Sequence, residues 1–180
     1  MRGLLPIVAA LVLWCPSALS QAQFTRVLPQ CQFRHAQTPW SDGEVRRVWR
    51  AMVQMEAPTP VASLLAPMIR REAARFGVDP LVMVSIARQE SHFRLDARGS
   101  KGEVGVFQIR PTLWAEELGL DPGALAEPAH NTRACAYILS RYLARYGTYR
   151  KAVRAYNHLR YGGRYARKVL SRYRRVAAAL

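Results

Sequence analysis

The sequence predicts a mainly α-helical fold with a small extended loop region. Apolar residues recur with helical spacing from residue 61 onward, capping residues punctuate that pattern, and no alternating run is long enough for a sheet. Half of the 180 residues are hydrophobic and 22% are charged, so the chain can build a core and is not a disordered segment. The absence of a glycine-rich phosphate loop argues against a doubly wound nucleotide-binding sheet.

The element boundaries follow from stop and start signals. Gly77 ends one periodic apolar segment in the manner of a helix C-cap. Asp79 and Pro80 then supply an N-cap and a first helical residue for the next segment. Residues 94–110 are rich in glycine and small residues and predict a loop with one extended piece at 104–109. Helices are predicted at 45–55, 61–76, 80–91, 111–119, 130–146, 150–157 and 164–179.

The first twenty residues have the layout of a secretory signal peptide. Arg2 precedes an apolar run over residues 4–14, and Ala18 and Ser20 stand at the −3 and −1 positions of a cleavage site. A buried helix or a membrane anchor is the alternative, but a membrane span needs roughly 20 apolar residues. The protein is therefore predicted to be exported, and to be periplasmic or extracellular after cleavage.

The rest of the chain divides at the point where the helical periodicity becomes regular. Residues 21–60 contain several prolines and weak periodicity, and predict an N-terminal arm with one short helix. Residues 61–180 predict one mainly helical domain, close to the usual size of about 100–150 residues.

The charge balance predicts an anionic partner. The chain has 27 Lys and Arg residues against 12 Asp and Glu residues, for a net charge of +15. Nucleic acid, a membrane surface and a cell-wall polymer all fit this sign, and export argues against nucleic acid. Arginines and tyrosines interleave from residue 128 to the end, a pattern that serves stacking on bases or sugars as well as an ordinary solvated helix face.

Signal cleavage would leave two of the three cysteines, Cys31 and Cys135. An even number of cysteines in an oxidising compartment predicts one disulfide bond between them. The alternative is that Cys135 is a buried small residue and Cys31 an unpaired thiol.

Glu90 is the candidate for acid–base chemistry. Val82, Ile86 and Glu90 are spaced four residues apart, so the glutamate ends an apolar stripe on its predicted helix. Apolar neighbours and the negative end of the helix dipole both disfavour the carboxylate and raise its pKa. A carboxylic acid that stays protonated near neutral pH can act as a general acid; a surface glutamate near a helix end is the alternative.

Four motifs follow one another in a fixed order. They are Glu90-Ser91-His92-Phe93, Gly105-Val106-Phe107-Gln108, Asn131 near the start of a helix, and Ala155-Tyr156-Asn157. Together they resemble the lytic transglycosylases of the Slt type, which are relatives of goose-type lysozyme. The segment from Tyr165 to Leu170 is similar to the Tyr-x-x-x-Val sequence that closes the family's domain. The resemblance covers residues 61–170.

The resemblance implies a lysozyme-like helical domain with a groove for peptidoglycan glycan strands. Glu90 matches the single catalytic acid, which cleaves the bond between N-acetylmuramic acid and N-acetylglucosamine. Ser91 and Asn131 match positions that brace the fold, Asn131 through a helix cap and buried hydrogen bonds. Asn157 is assigned to the groove, although its motif position also fits a bracing role. The substrate-binding positions are Gly105, Phe107, Gln108, Tyr156 and Asn157, with Gly105 expected to let the backbone approach a sugar.

The sequence departs from the family pattern at several groove positions. Gly99 stands where a serine is frequent, and Arg110 stands where a methionine is frequent. Phe107 replaces the methionine of Gly-Leu-Met-Gln, and His158 replaces a glycine after Ala-Tyr-Asn. These changes leave the acid intact and alter the expected sugar contacts.

No second catalytic carboxylate is predicted. Asp79 is committed to a helix cap, and Asp96 and Glu103 lie in polar loop sequence where solvation is expected. Because most glycosidases use two carboxylates, a single acid favours attack by the substrate's own 6-hydroxyl and a 1,6-anhydro-N-acetylmuramic acid end. The four histidines lack ligand spacing, so no metal or other cofactor is expected.

Two alternatives to the transglycosylase remain open at the level of sequence. One is a hydrolytic muramidase, and the other is a non-catalytic glycan-binding module of a cell-envelope assembly. By analogy with small exported transglycosylases, the predicted partners are peptidoglycan strands and a secretion-system or pilus assembly. Nucleic acid is not an expected partner, and an integral membrane protein is not expected.

Overall fold

The computed structural model describes residues 42–157 and 162–180, and these residues form seven α-helices and one 3₁₀ helix. The α-helices are α1 (Asp42–Gln54), α2 (Thr59–Phe76), α3 (Pro80–Glu90), α4 (Pro111–Leu118), α5 (Pro128–Tyr146), α6 (Tyr149–Tyr156) and α7 (Gly162–Ala177), and the 3₁₀ helix is Pro122–Ala126. The only β pairing in the described residues is the two isolated bridges that join Val104 to Arg98 and to Ile109. The mainly helical fold class is confirmed.

The predicted capping residues end and begin the helices where expected. Gly77 has the left-handed φ of 65°, and its N–H bonds carbonyl groups in the last turn of α2. Asp79 caps α3, because its Oδ1 accepts a hydrogen bond of 2.8 Å from the backbone N–H of Leu81. The 3₁₀ helix was not predicted; Asp121 caps it by accepting a hydrogen bond from the N–H of Gly123.

Helix α3 lies at the centre of the core. Its seven residues from Leu81 to Ala87 are all buried, and it packs against α1, α2 and α7. A short helix that is buried on all sides cannot shift without disturbing the close-packed interior. Glu90, the last residue of α3, therefore stands on a rigid support.

Helix α1 is part of the same core and not part of a separate arm. Val48, Ala51 and Met52 on α1 are at most 1% exposed, and the helix packs along α2. The domain start predicted at residue 61 leaves this helix outside the domain, whereas its apolar side chains belong to the common core. Pro58 and Pro60 suggested a linker, but Pro58 is the N-cap residue of α2 and Pro60 lies in its first turn, where proline is tolerated.

Two predictions concern residues outside the described part of the chain. These are the signal peptide at 1–20 and the position of Cys31. Among the described helices, none combines the length and the hydropathy that crossing a membrane would require.

Candidate active site

A groove lies at the C-terminal end of α3, between the 94–110 loop and helices α4, α5 and α6. Glu90 stands in this groove, with polar loop residues on one side and aromatic residues of α4 and α5 on another. Trp114 and Tyr142 meet edge to face there, with their ring centroids 6.1 Å apart. The lining residues are Glu90, Glu103, Gln108, Ile109, Arg110, Leu113, Trp114, Ile138, Tyr142, Ala155, Tyr156 and Asn157.

The Glu90 carboxyl has the electrostatics of a general acid. Burial raises its pKa from an ordinary 4.5 to about 7, a hydrogen bond from Tyr165 opposes the increase, and the charge of Glu103 adds to it. Near neutral pH the group is therefore present in both its acid and its base form. Such a group can donate a proton in one step of a reaction and accept one in the next.

Tyr165 positions the Glu90 carboxyl, and sequence analysis did not assign it this role. Its hydroxyl, on α7, donates a hydrogen bond of 2.5 Å to Glu90 Oε1. Burial, followed by the nearby charge of Glu90, raises the pKa of Tyr165 well above its ordinary value, so the tyrosine keeps its proton and remains a donor. The similarity around Tyr165 to the family's closing Tyr-x-x-x-Val segment was the available signal.

Asn131 anchors the loop that carries the groove residues. Its Oδ1 accepts a hydrogen bond of 2.8 Å from the N–H of Phe107, and its Nδ2 donates to the carbonyls of Val104 and Leu125. The side chain is fully buried, and it lies in the first turn of α5. The N-cap residue of α5 is Glu127, so the predicted capping role of Asn131 is wrong.

Ser91 and Tyr156 hold the same loop from two further directions. The hydroxyl of Ser91, which is buried, donates a hydrogen bond of 2.8 Å to the carbonyl of Val106. The hydroxyl of Tyr156 donates a hydrogen bond of 3.0 Å to the carbonyl of Phe107. Side chains from the C-cap of α3, from α5 and from α6 thus fix the backbone just before Gln108.

The structure corrects two of the predicted substrate contacts. The Phe107 side chain is 0% exposed and belongs to the core. Burial of its apolar ring is more favourable in free energy than exposure in a polar groove. Gly105 faces Asn131 and not a sugar, since a Cβ at this position would lie 2.6 Å from the amide group of Asn131. Its φ of 72° is a second reason for glycine.

Gln108, Tyr156 and Asn157 do line the groove together with Glu90. Gln108 has a φ of 49°, which is uncommon for a residue with a side chain. Its Nε2 compensates by donating to the carbonyls of Ala97 (3.1 Å) and Gly105 (2.9 Å). The glutamine is thereby fixed with its Oε1 turned away from those carbonyls.

A charged pair on the groove wall was not expected from the sequence. Arg110 Nη2 donates a hydrogen bond of 2.8 Å to Glu103 Oε1, and both side chains are about one-fifth exposed. Glu103 is therefore partly exposed, and its carboxylate is paired with Arg110. Burial alone would raise the pKa of Glu103, but the hydrogen bonds from Arg110 and from the backbone N–H of Lys101, together with the charge of Arg110, bring it below its usual value.

Cys135 is a buried cysteine of the described domain, and because its predicted partner Cys31 lies outside the described residues, the disulfide bond stays a prediction. The residue is 0% exposed on the inner face of α5, and burial raises the pKa of its thiol, although a hydrogen bond with Tyr156 partly opposes this. The burial of Cys135 fits the alternative of a small core residue.

Nothing in the described residues resembles a metal centre, because no three His, Cys, Asp or Glu side chains are grouped closely enough to share an ion. The chemistry available in the groove is that of a carboxyl group with a raised pKa, a tyrosine donor and a set of fixed polar groups.

The family comparison agrees with the motif resemblance. A family model described as the transglycosylase SLT domain matches residues 67–177. An inactive mutant of the lytic transglycosylase Slt from Pseudomonas aeruginosa is 28% identical, with a TM-score of 0.47, over 57% of this chain and 17% of that chain. The 70 kDa soluble lytic transglycosylase from Escherichia coli is 18% identical, with a TM-score of 0.48, over 72% of this chain and 24% of that chain. The chain thus spans less than a quarter of the length of either protein.

Proposed function

Because the chain belongs to the transglycosylase SLT domain family, we propose that it is a peptidoglycan lytic transglycosylase that cleaves the β-1,4 bond between N-acetylmuramic acid and N-acetylglucosamine. The observation that carries the proposal is the state of Glu90. A glutamate with a pKa of about 7 stands in a groove, at the end of a rigid buried helix, and receives a hydrogen bond from Tyr165.

In the first step, Glu90 acts as the acid. Its proton moves to the glycosidic oxygen, the bond from that oxygen to C1 of the muramoyl residue breaks, and positive charge develops at C1. The carboxylate that remains is stabilised by the Tyr165 hydroxyl, which donates to Oε1. The N-acetylglucosamine side leaves with the proton as a free hydroxyl group.

In the second step, the same residue acts as the base. The Glu90 carboxylate takes the proton from the 6-hydroxyl of the muramoyl residue while O6 forms a bond to C1. The 6-hydroxyl belongs to the sugar that it attacks, so its effective concentration is high. The product is a 1,6-anhydro-N-acetylmuramic acid end, no water is consumed, and Glu90 is returned to its acid form.

Hydrolysis would need a base that activates water, and Glu103 is a poor candidate. Its lowered pKa and its pairing with Arg110 make its carboxylate a weak base. Asp96 is exposed on the surface loop and is not part of the groove wall. These features favour the transglycosylase over a hydrolytic muramidase.

A non-catalytic glycan-binding module is less well supported. Binding alone requires no carboxyl group with a raised pKa, and holding one in a buried position costs stability. Burial of Glu90 together with a tyrosine donor is an arrangement that acid–base catalysis uses. Catalysis therefore explains the burial of the Glu90 carboxyl, and glycan binding alone does not.

A peptidoglycan substrate requires the domain to reach the cell wall, and the proposal therefore includes export to the periplasm. The support is in the sequence, where Arg2, an apolar run and small residues before position 21 form the pattern of a secretory signal. No feature of the described residues bears on a secretion-system or pilus partner, which stays a prediction from analogy.

The test of the proposal is the Glu90→Gln variant on purified peptidoglycan. Removing the proton donor should reduce the release of muropeptides by about 100-fold or more. Glu44→Gln is the matched control, because Glu44 pairs with Arg70 on the exposed side of α1 and α2, away from the groove. Unchanged release by Glu90→Gln would contradict the proposal, provided that its circular dichroism spectrum matches that of Glu44→Gln.

A further inference from the structure

Two acceptor oxygens converge on the space beside Gly99. A Cβ built at Gly99 would lie 2.9 Å from Gln108 Oε1 and closer still to Glu103 Oε2. Real Cβ atoms do not come this close to other heavy atoms, so a side chain at position 99 would displace one of the two. The backbone at Gly99 has an ordinary φ, so the space, and not the backbone conformation, is the reason for glycine.

Both oxygens are held in place by other contacts and keep capacity for a further donor. Glu103 Oε1 accepts from Arg110, and Oε2 accepts a hydrogen bond of 2.9 Å from the N–H of Lys101. Because each carboxylate oxygen accepts about two hydrogen bonds, Oε2 can accept one more. Gln108 donates both Nε2 hydrogens to carbonyl groups of the loop, and no described residue donates to its Oε1.

The same arrangement accounts for two departures from the family pattern. A serine is frequent at the position of Gly99 and a methionine at the position of Arg110. Here the Glu103 carboxylate occupies the room that a side chain at 99 would fill, and Arg110 supplies the charge that holds the carboxylate. Gly99 and Arg110 are therefore linked through Glu103 and are not two independent departures.

We propose that Glu103 Oε2 and Gln108 Oε1 form a sugar subsite that accepts a hydrogen bond from a hydroxyl or an acetamido N–H of the glycan, with Gly99 providing the space and Arg110 fixing Glu103. Glu103 is then a substrate-binding residue of this groove. This inference rests on the proposed function, because it takes the glycan as the ligand of the groove.

The charge of the subsite favours a neutral sugar donor over an ammonium group of a stem peptide. Arg110 balances the negative charge of Glu103 across 2.8 Å, so the two acceptor oxygens carry little net attraction for a cation. Neutral hydroxyl and amide donors need acceptor geometry more than charge. Glycan hydroxyl and acetamido groups meet that requirement in every repeat of the strand.

The experiment measures binding of peptide-free glycan strands to the Glu90→Gln protein, which should hold the substrate without cleaving it. Gly99→Ala and Glu103→Ala, each made in that background, should weaken binding about tenfold, because a hydrogen bond to a charged group is lost or blocked. The matched controls are Gly163→Ala, at an exposed glycine with open space around it, and Glu44→Ala. Both controls should bind like the parent.

The possible outcomes separate the subsite from the proposed function. If the parent protein itself does not bind the strands, the proposed function fails and the subsite fails with it. If the parent binds and both groove variants bind equally well, the subsite is wrong and the proposed function stands. A loss that occurs only with peptide-bearing strands would also overturn the subsite, because the ligand would then be a peptide group. Thermal transitions identify a variant that does not fold, and the other groove variant then decides.

Discussion

In the proposed reaction, Glu90 has to hold a proton and release it within one cycle, and its surroundings determine how readily it does so. Burial raises its pKa from 4.5 to about 7, which means that folding favours the protonated form. Its contribution to stability is therefore fully present below about pH 4.5 and is lost as the pH rises toward 7. A pKa difference of this size corresponds to a few kcal/mol at most, at about 1.4 kcal/mol per unit.

The first prediction concerns stability as a function of pH. Glu90→Gln removes the charge that burial disfavours, so the variant should be more stable than the wild type at pH 8, by up to about 3 kcal/mol. Near pH 4.5 the difference should become small, because the wild-type carboxyl is then protonated. Thermal unfolding at the two pH values measures this, and an equal difference at both would mean that the carboxyl is not buried as described.

The second prediction concerns the hydrogen bond from Tyr165. The bond lowers the pKa of Glu90, so Tyr165→Phe should move the alkaline limb of the pH–activity profile to higher pH. Loss of the stabilised carboxylate should also reduce the maximal rate by about tenfold.

Tyr173→Phe is the matched control for this experiment. The Tyr173 hydroxyl also lies on α7 and donates a hydrogen bond of 2.8 Å to a carboxylate, but that carboxylate is the helix cap Asp79 and not a groove residue. The alkaline limb of the pH–activity profile of Tyr173→Phe should therefore not move. If the pH–activity profile of Tyr165→Phe coincides with that of Tyr173→Phe, the Tyr165 hydroxyl does not influence the Glu90 carboxyl.

At the scale of elements, the 94–110 loop depends on its fit against α5. Gly105→Ala would place a methyl group against the Asn131 amide, at a backbone conformation that disfavours alanine. Strain and overpacking together should cost about 2–4 kcal/mol of folding stability. Gly102→Ala has a similar φ of 80° but open space around it, so it should cost about 1 kcal/mol. Denaturant unfolding of the two variants measures the difference, and equal losses would contradict the packing role of Asn131.

The helices could be predicted from sequence far better than the loop that serves the site. Their ends depend on local signals such as Gly77 and Asp79, which act within a few residues. The loop depends on contacts between distant residues, such as the bond from Phe107 to Asn131, 24 positions away. Local pattern could not show that Phe107 turns into the core or that Glu103 meets Arg110.

At the scale of the whole molecule, the site is complete only when the last helix is in place. Tyr165 is 75 positions from Glu90 and reaches it because α7 packs on α3. Helix α1 packs against α2 and α3, although the family match begins only at residue 67. Motif spacing in the sequence pointed to Glu90, and the resemblance around Tyr165 marked that segment, but neither showed that the two side chains would be in contact.

The burial of Cys135 is another result of assembly at this scale. An even cysteine count in an exported chain is a sound reason to expect a disulfide bond, but it contains no information on what surrounds each thiol. In the folded domain Cys135 packs beneath the groove beside Tyr156. Its role there is that of a small core residue.

Mass analysis of the muropeptides released from purified peptidoglycan tests the central claim most directly. If Glu90 serves both proton transfers and the 6-hydroxyl is the nucleophile, the products end in 1,6-anhydro-N-acetylmuramic acid, which is lighter than the reducing sugar by one water. We expect these ends to predominate and to disappear with Glu90→Gln. A predominance of reducing ends would contradict the claim, because it would mean that water, activated by another group, attacks C1.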